Sequence, residues 1–258
     1  MITKMYEVYR YRGLLVNLAL KELRLQYKHS FLGFIWSMLN PMLMLVVYVV
    51  AFKFILRSDI KDFTLFLLIG ELPWNFFQSG VLSSTNSLVN NGSLISKVYF
   101  PREVIPISLI ISNFLNFIFT LIILLFAILA YHRSLTINVL YFPLILLAQL
   151  IFMTSLSLLL SILTVRFRDV YHLMQVALMA WFYVSPVVYP LSHVPLKLRI
   201  ILYFNPMADY IEAYRRVLFY GQPPEWNLLG LCIAGSVILL IASMGLFQKW
   251  SRDLVEYL

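Results

Sequence analysis

The stretch that decides the fold is Phe31-Leu-Gly-Phe-Ile-Trp-Ser-Met-Leu-Asn40-Pro41-Met-Leu-Met-Leu-Val-Val-Tyr-Val-Val-Ala-Phe52. No charged residue interrupts it before Lys53. At about 1.5 Å per residue, a helix of this length crosses a hydrocarbon core of about 30 Å. We therefore predict a first membrane-spanning helix at about 33–56, which begins with a turn at Gly33 and carries a hinge at Asn40 and Pro41.

The segment before this span, 13–29, predicts a helix that lies on the membrane surface. Asn17, Lys21, Arg24 and Lys28 recur at steps of four, three and four residues, which places them in one polar stripe of a helix. Apolar residues fill most of the opposite side. A membrane anchor with a basic juxtamembrane helix would show the same pattern, and the alternative interpretation is that the surface helix transmits force to the spanning one.

The composition indicates an integral membrane protein. Hydrophobic residues make up 61% of the chain and charged residues 12%, with a mean hydropathy of +0.84, whereas soluble domains carry about 25% charged residues. The net charge of +8 does not indicate nucleic-acid binding, because the basic residues lie beside apolar runs, where anionic lipid headgroups are the simpler partner. The single cysteine, Cys232, excludes an intrachain disulfide.

The apolar runs predict an all-α polytopic membrane protein with a single transmembrane domain over 1–258. Six spanning helices are predicted at about 33–56, 63–85, 104–131, 138–165, 169–189 and 227–249. Basic residues crowd ahead of the first span, so the positive-inside rule puts both termini in the cytoplasm. Two short amphipathic helices at 195–220 are predicted to lie at, or dip into, the outer leaflet, either as an interfacial loop or as a gate over an exit.

The sequence lacks the common motifs for nucleotide binding and metal binding. No glycine is followed by lysine, so the phosphate-binding G-x-x-x-x-G-K-[ST] loop is absent and the chain is not expected to hydrolyse ATP alone. The four histidines never pair at metal-ligand spacing. Glu71 is the one acidic residue well inside a predicted span. Because Gly70 and Pro73 flank Glu71, we expect a broken outer segment in which its carboxylate faces water, reaches the interface or serves transport.

Two connections on the predicted cytoplasmic side are candidates for contact or gating. The connection at 90–103 places aromatic and basic residues in an exposed loop, which is typical of a protein docking site. A turn whose aromatic residues lie at the level of the lipid headgroups would show the same sequence pattern. The tight turn at Arg166, Arg168 and Asp169 is either an inner charge anchor or an inner gate in which Asp169 orients an arginine.

Five motifs, taken in order, resemble a known family. They are Gln26-Tyr-Lys-His-Ser-Phe-Leu-Gly-Phe-Ile-Trp-Ser-Met-Leu-Asn-Pro41, Phe100-Pro-Arg-Glu103, Arg166-Phe-Arg-Asp169, Ser185-Pro-Val-Val-Tyr-Pro190, and Asn205-Pro206 through Glu212-Ala-Tyr-Arg215. They are similar to the permease subunits of ABC exporters of the second type, specifically the polysaccharide branch that exports O-antigen, capsular polymers or teichoic acids. The resemblance runs from about residue 10 to 250. Glu71 departs from it, since the family pattern is expected to hold an uncharged residue there.

The resemblance implies partners in a bacterial cytoplasmic (inner) membrane. In such exporters two permease chains form a conduit, and two separate ATP-binding subunits, which hold ATP and Mg, dock beneath it. A homodimer that needs no cofactor of its own is therefore expected. The residues that would contact the ATP-binding subunits are Lys21, Arg24, Lys28, Lys97, Tyr99, Phe100, Pro101, Arg102 and Glu103.

The resemblance also implies a lipid-linked polysaccharide as substrate. The apolar CH faces of sugar rings can lie against aromatic rings, and tyrosine hydroxyls can meet sugar hydroxyls. The first and fifth spans, which would lie nearest the dimer axis, offer channel-lining aromatics, although Trp and Tyr also populate membrane-interface belts. The candidates are Trp36, Tyr48, Phe52, Trp181 and Tyr183.

Three alternatives remain open on the sequence alone. The same fold could export a small lipid or drug, for which a longer outer domain would be expected. An intramembrane glycan-modifying enzyme would need carboxylates or histidines clustered at one membrane depth, and none is evident. A scaffold or anchor would tolerate replacement of Arg102 and Glu103 without loss of function.

Overall fold

The computed structural model describes residues 2–28, 30–57, 59–133 and 135–251. Within these ranges the regular elements are helical. Shorter 3-10 helices at Gly33–Ile35, Ile137–Tyr141 and Leu191–His193 and a π-helix at Val49–Ile55 join the α-helices. The α-helices are α1 (Ile2–Arg10), α2 (Arg12–Tyr27), α3 (Trp36–Tyr48), α4 (Phe63–Thr85), α5 (Ser87–Asn90), α6 (Gly92–Lys97), α7 (Val104–Ala130), α8 (Phe142–Arg166), α9 (Asp169–Val184), α10 (Leu196–Tyr203), α11 (Pro206–Leu218) and α12 (Trp226–Trp250).

The decisive stretch folds as α3 followed directly by the π-helix. Gly33 has a φ of +53°, a left-handed conformation that glycine adopts without strain, and the 3-10 turn that starts there leads into α3. Pro41 lies inside α3 and is buried. The surface helix predicted at 13–29 corresponds to α2, which ends at Tyr27; His29 lies outside the described residues.

The chain is a multi-pass membrane protein. In the described ranges, four helical stretches are long and apolar enough to cross a membrane: Trp36–Ile55, Val104–Ala130, Ile137–Arg166 and Trp226–Trp250. α4 and α9 are not among them, since α4 carries several polar residues and α9 has only 16 residues. The count of six spans therefore stays a prediction.

α4 is the centre of the bundle. Most of its side chains are buried, and α7, α8, α9 and α11 surround it. Trp74 and Phe77 join Phe152 of α8 and Trp181 of α9 in an aromatic cluster, in which the Phe77 ring centroid lies 5.2 Å from Trp181 and 5.7 Å from Phe152. This cluster fixes α9 against the middle of the bundle.

The broken segment predicted around Glu71 is wrong. α4 runs without interruption through Gly70 and Pro73, because the helix loses only one backbone donor at the proline. The carbonyl oxygen of Pro73 accepts a hydrogen bond from Gln149 Nε2 at 2.9 Å. Glu71 is fully buried within the chain rather than exposed to water. One of its carboxylate oxygens accepts a hydrogen bond from Asn75 Nδ2 at 3.4 Å, and the other has no partner among the described residues.

The fifth predicted span is shorter than 169–189. α9 ends at Val184 because Ser185, which precedes Pro186, takes an extended conformation. α10 and α11 occupy the predicted 195–220 segment, and the side chain of Asn205 between them caps α11 by accepting hydrogen bonds from two backbone N–H groups. α11 packs on α4, α8 and α12 and is part of the core, whereas Tyr203 and Phe204 at the end of α10 are exposed.

A second apolar cluster holds one end of the bundle together. It joins α2, α5, α6, the start of α7, and the ends of α8 and α12. We call this the α6 end, and the opposite end, which holds α10 and α11, the α11 end.

Candidate functional site

A groove opens at the α6 end between α1 and the segment 95–103. Its volume is about 700 Å³, and its walls include Glu7, Arg10, Lys97, Tyr99 and Arg102. The Tyr99 side chain is 95% exposed. A fully exposed aromatic ring beside arginine and lysine is the composition of a protein-contact surface.

Two of the residues predicted to contact a partner support this groove from below. Phe100 and Glu103 line its floor but are only 5% and 4% exposed. Phe100 belongs to the apolar cluster of the α6 end, together with Val104 at the start of α7. Both side chains are therefore buried in this chain, whereas Lys97 and Tyr99 are exposed and Pro101 and Arg102 are half-buried. The contact of Phe100 and Glu103 with a partner stays a prediction.

α2 presents its predicted polar stripe to the outside. Asn17, Lys21, Arg24 and Lys28 are exposed and line one shallow groove of about 310 Å³. Leu15 on the opposite side is buried, and α2 packs against α7. The surface helix is therefore fixed to the bundle, and the side chains of Lys21, Arg24 and Lys28 stay exposed.

Hydrogen bonds tie the end of α2 to the middle of α7. The Tyr27 hydroxyl donates to Asn116 Oδ1 at 3.2 Å, and Asn116 Nδ2 donates to Gln26 Oε1 at 2.8 Å. Burial raises the pKa of the Tyr27 phenol, and hydrogen bonds with Ser37 and Asn116 oppose that rise only in part. The phenol stays protonated, so it keeps its role as a donor. These hydrogen bonds join the end of α2 to α7.

The three residues predicted to form an inner gate lie in two different surroundings. The Arg166 guanidinium lies over the Trp250 ring, 4.4 Å from its centroid, which attaches it to α12. Arg168 and Asp169 are exposed at the turn into α9 and form no ion pair within the described part of the chain. The orientation of Arg168 by Asp169 is therefore not seen.

The five predicted channel aromatics do not form one surface in a single chain. Tyr48 stacks on Phe182 with ring centroids 5.5 Å apart, and Phe52 lies 6.5 Å from Tyr48. Trp181 belongs to the aromatic cluster of α4, and its Nε1 donates to Asn205 Oδ1 at 2.7 Å. Tyr183 is 58% exposed.

Trp36 is separate from these four aromatics. It lies near the start of α3, where it lines a cavity with the hinge residues Asn40 and Pro41. The predicted hinge residues therefore border open space on one side, although Pro41 itself is buried.

Arg215, for which no role is predicted from the sequence, lies at the α11 end as a fully buried cation. Its guanidinium donates to the carbonyl oxygens of Pro186, Val187 and Tyr189 in the turn after α9. It also lies 3.6 Å from the centroid of the Phe66 ring. No carboxylate of the described residues is within ion-pair distance. Arg215 therefore ties α11 to the turn that ends α9.

The spacing of Arg215 from apolar residues of α11 indicates this burial. Arg215 follows Ile211 by four residues and Ala208 by seven, so it falls on the apolar face of the helix, while Arg216 does not.

Comparison with known proteins identifies the family of this chain. Residues 14–219, from α2 to the end of α11, match the family described as ABC-2 type transporter. The chain belongs to this family. As an ABC-2 transporter permease it is a transport component rather than an enzyme, and the groove, the α2 stripe and Arg215 all lie largely within the matched range.

Relatives of this ABC-2 permease cover it almost completely. The O-antigen export system permease protein RfbA of Myxococcus xanthus is 35% identical over 258 residues, which is 99% of each chain. A protein of the same description from Klebsiella pneumoniae is 32% identical over 246 residues, 95% of each chain. The polysialic acid transport protein KpsM of Escherichia coli is 24% identical over 243 residues, 90% of this chain and 91% of the relative.

Proposed function

We propose that this chain is the membrane subunit of an ATP-driven exporter that moves lipid-linked polysaccharide across the bacterial cytoplasmic membrane. It acts as a homodimer with two copies of an ATP-binding subunit, and both termini are cytoplasmic. The observation that carries the substrate class is the match of the whole chain, at 35% identity, to a protein described as an O-antigen export permease. The short α11 end also favours a polymer over the export of small lipids or drugs, for which a larger outer region was expected.

The groove at the α6 end is the proposed dock for the ATP-binding subunit. Lys97, Tyr99, Arg102 and Arg10 supply an exposed aromatic anchor with positive charge around it. Lys21, Arg24 and Lys28 on α2 add exposed positive charge in a separate groove. ATP and Mg would be held by the partner, because this sequence lacks a phosphate-binding loop.

Force from the partner would travel through α2 into α3. α2 is joined to α7 through Tyr27 and Asn116 and is followed by the turn at Gly33. The hinge at Asn40 and Pro41 would convert a push on α2 into a tilt of α3. Arg168 and Asp169 would line the inner mouth, α10 and α11 would form the outward gate, and Tyr48, Phe52 and Tyr183 would face the path.

The test is a coupling measurement in proteoliposomes. The chain is reconstituted with its cognate ATP-binding subunit, and ATP hydrolysis and export of lipid-linked polysaccharide are measured for wild type and for Lys97→Ala/Tyr99→Ala. Loss of an exposed anchor should weaken assembly by about 2 kcal/mol, or roughly 30-fold in Kd, and abolish stimulated hydrolysis.

The matched control is Lys197→Ala/Tyr203→Ala, which removes the same two residue types from exposed positions at the α11 end. It should assemble with the ATP-binding subunit as wild type does. The proposal fails if the wild-type chain binds no ATP-binding subunit, or if the assembled pair hydrolyses ATP but exports no polysaccharide.

A further inference from the structure

A cavity of about 240 Å³ lies between α2, α3, α4 and α7 and is open on one side. Of the fifteen described residues that line it, nine are polar and none is charged. Five of the nine carry carboxamides: Gln26, Asn40, Asn75, Asn113 and Asn116. Carboxamides are costly to place in a membrane-embedded bundle without hydrogen-bond partners, so any carboxamide that the protein leaves unpartnered at this cavity indicates a polar occupant.

The polar groups of the cavity are only partly used by the protein. Asn116 is satisfied by Tyr27 and Gln26, and Asn113 Nδ2 donates to Ser83 Oγ at 3.0 Å. The side chains of Asn40 and Ser79, by contrast, make no hydrogen bond within the described part of the chain and are exposed to the open side. They leave an amide donor, an amide acceptor and a hydroxyl for a ligand.

An aromatic ring completes the lining. Trp36 stands at the same cavity, beside Asn40, and its indole offers an apolar face together with one N–H donor. A neutral ligand with hydroxyl groups around its edge could form hydrogen bonds with the polar side chains, and CH groups on its face could pack against the indole.

We infer that this cavity binds a single neutral sugar residue of the transported polymer, held by Asn40 and Ser79 and stacked against Trp36. The inference rests on the proposed function. Paired donors and acceptors of carboxamides match sugar hydroxyls, which donate and accept alike. The volume, slightly below the usual range of about 300–1,000 Å³ for ligand pockets, suits one ring rather than a run of residues.

The chemistry of the walls excludes two other occupants. A phosphate or other anionic headgroup would lose its hydration without meeting a cation, because no Lys, Arg or His of the described residues lines the cavity. A lipid tail would leave the amide of Asn40 and the hydroxyl of Ser79 facing hydrocarbon.

The location connects sugar binding to the hinge. Asn40 and Pro41 line the cavity from α3, and Gln26 and Tyr27 line it from the end of α2. Ser79 also lines a second open space of about 490 Å³, together with Lys21 and Tyr171, which leads toward the α6 end. A sugar residue entering from that end would therefore meet the two elements that the ATP-binding subunit is proposed to move.

Protection of introduced cysteines tests the site directly. The chain holds one cysteine, so Cys232→Ser gives a background without thiols that keeps a hydrogen-bond donor toward Asp209. Into this background we would place Asn40→Cys, Ser79→Cys or, as the matched control, Asn227→Cys, an exposed asparagine at the start of α12. Each full-length chain in nanodiscs is labelled with N-ethylmaleimide while increasing amounts of lipid-free oligosaccharide, prepared from the source cell's own exported polysaccharide, are added.

Saturable protection at positions 40 and 79, with none at 227, is the expected result. At ten times the half-protecting concentration, labelling should be roughly tenfold slower. Adding Trp36→Ala to the Ser79→Cys chain should raise the half-protecting concentration about two- to tenfold, whereas Trp226→Ala should leave it unchanged.

Equal labelling rates with and without oligosaccharide at positions 40 and 79, and also in a Met44→Cys chain that lines the cavity and keeps both Asn40 and Ser79, would overturn the inference. If such chains still export polysaccharide with ATP, the proposed function stands and only the cavity site falls. If the wild-type complex exports no polysaccharide and no position is protected, both fall together.

Discussion

At the scale of single residues, Arg215 makes the most specific prediction. Its guanidinium satisfies three carbonyl oxygens of the turn after α9 in a buried place where water cannot replace it. Arg215→Met keeps the apolar stem and removes the donors. We expect a loss of about 2–4 kcal/mol of stability, measured as a lower midpoint of thermal unfolding in detergent.

Arg216→Met is the control for that change, since the neighbouring arginine is bonded to Glu225 and the Pro223 carbonyl in an exposed setting. An exposed pair of this kind contributes about 0–1 kcal/mol. Equal losses for the two variants would show that Arg215 is not what holds the turn.

Gly70 is the counterpart of Arg215 on α4. A Cβ atom at position 70 would lie 2.8 Å from Arg215 Nη2 and 3.0 Å from the Val187 carbonyl oxygen. Gly→Ala inside a helix ordinarily stabilises by about 1 kcal/mol, but here the added methyl would displace a fixed guanidinium. We therefore expect Gly70→Ala to destabilise the protein by about 1–3 kcal/mol in the same thermal assay.

Gly235→Ala in α12 is the control, because no atom lies within 4 Å of its Cβ position and the change in stability should have the opposite sign. This variant should be neutral or more stable than wild type. In an Arg215→Met background, Gly70→Ala should lose most of its cost. If that cost persists, the clash is with the Val187 backbone and not with the arginine.

At the scale of elements, the proline in α3 can be separated from the proline in α4. Pro41 cannot donate to the carbonyl of Ser37, so α3 lacks one hydrogen bond at the proposed hinge. Pro41→Ala should restore it, stabilise the helix by up to about 3 kcal/mol and reduce ATP-driven polysaccharide export. Thermal midpoint and export are measured on the same reconstituted samples.

Pro73→Ala also completes a helix, but in the packed centre of the bundle where no hinge is proposed. It should leave export unchanged. The hinge proposal is wrong if Pro41→Ala exports as wild type does, whatever its thermal midpoint.

The sequence predicted the elements better than the neighbours of individual side chains. Apolar runs and the polar stripe of α2 are local patterns, and the helices α2, α3, α7, α8 and α12 follow them closely. The inward turn of Phe100 and Glu103 depends on the apolar cluster of the α6 end, whose members come from distant parts of the chain. No local pattern distinguishes Phe100, which is buried, from Tyr99, which is exposed.

The same limit explains the errors at Glu71 and Arg215. Gly70 next to Glu71 was taken as a sign of a broken helix, whereas the glycine leaves room for the guanidinium of a residue 145 positions later in the chain. Tertiary contacts of this kind override local propensity. The hinge and the channel residues stay predictions, since their roles belong to motions and partners that a single chain does not contain.

At the scale of the whole molecule, we expect the outward faces of α9 and α12 to contact different partners: a second copy of the chain and lipid, respectively. Leu173, Val176, Met179 and Tyr183 form an apolar stripe along α9, each between 58% and 70% exposed. α9 has 16 residues and reaches about 24 Å, which is too short for a hydrocarbon core of about 30 Å. α12, with 25 residues, is long enough to face lipid along its length. The α9 stripe is therefore the better candidate for contact with a second copy of the chain.

Cross-linking in native membranes decides between these two faces. In the Cys232→Ser background, Val176→Cys places a thiol on the α9 stripe and Ile238→Cys places one on α12, at similar exposures of 70% and 67%. If two copies meet through α9, symmetry brings Val176→Cys close to its own counterpart, and a short bis-maleimide should give a band of twice the monomer mass. Ile238→Cys should stay monomeric under the same conditions. A cross-link at 238 without one at 176 would place the second copy on α12 and would move the proposed conduit away from Tyr48, Phe52 and Tyr183.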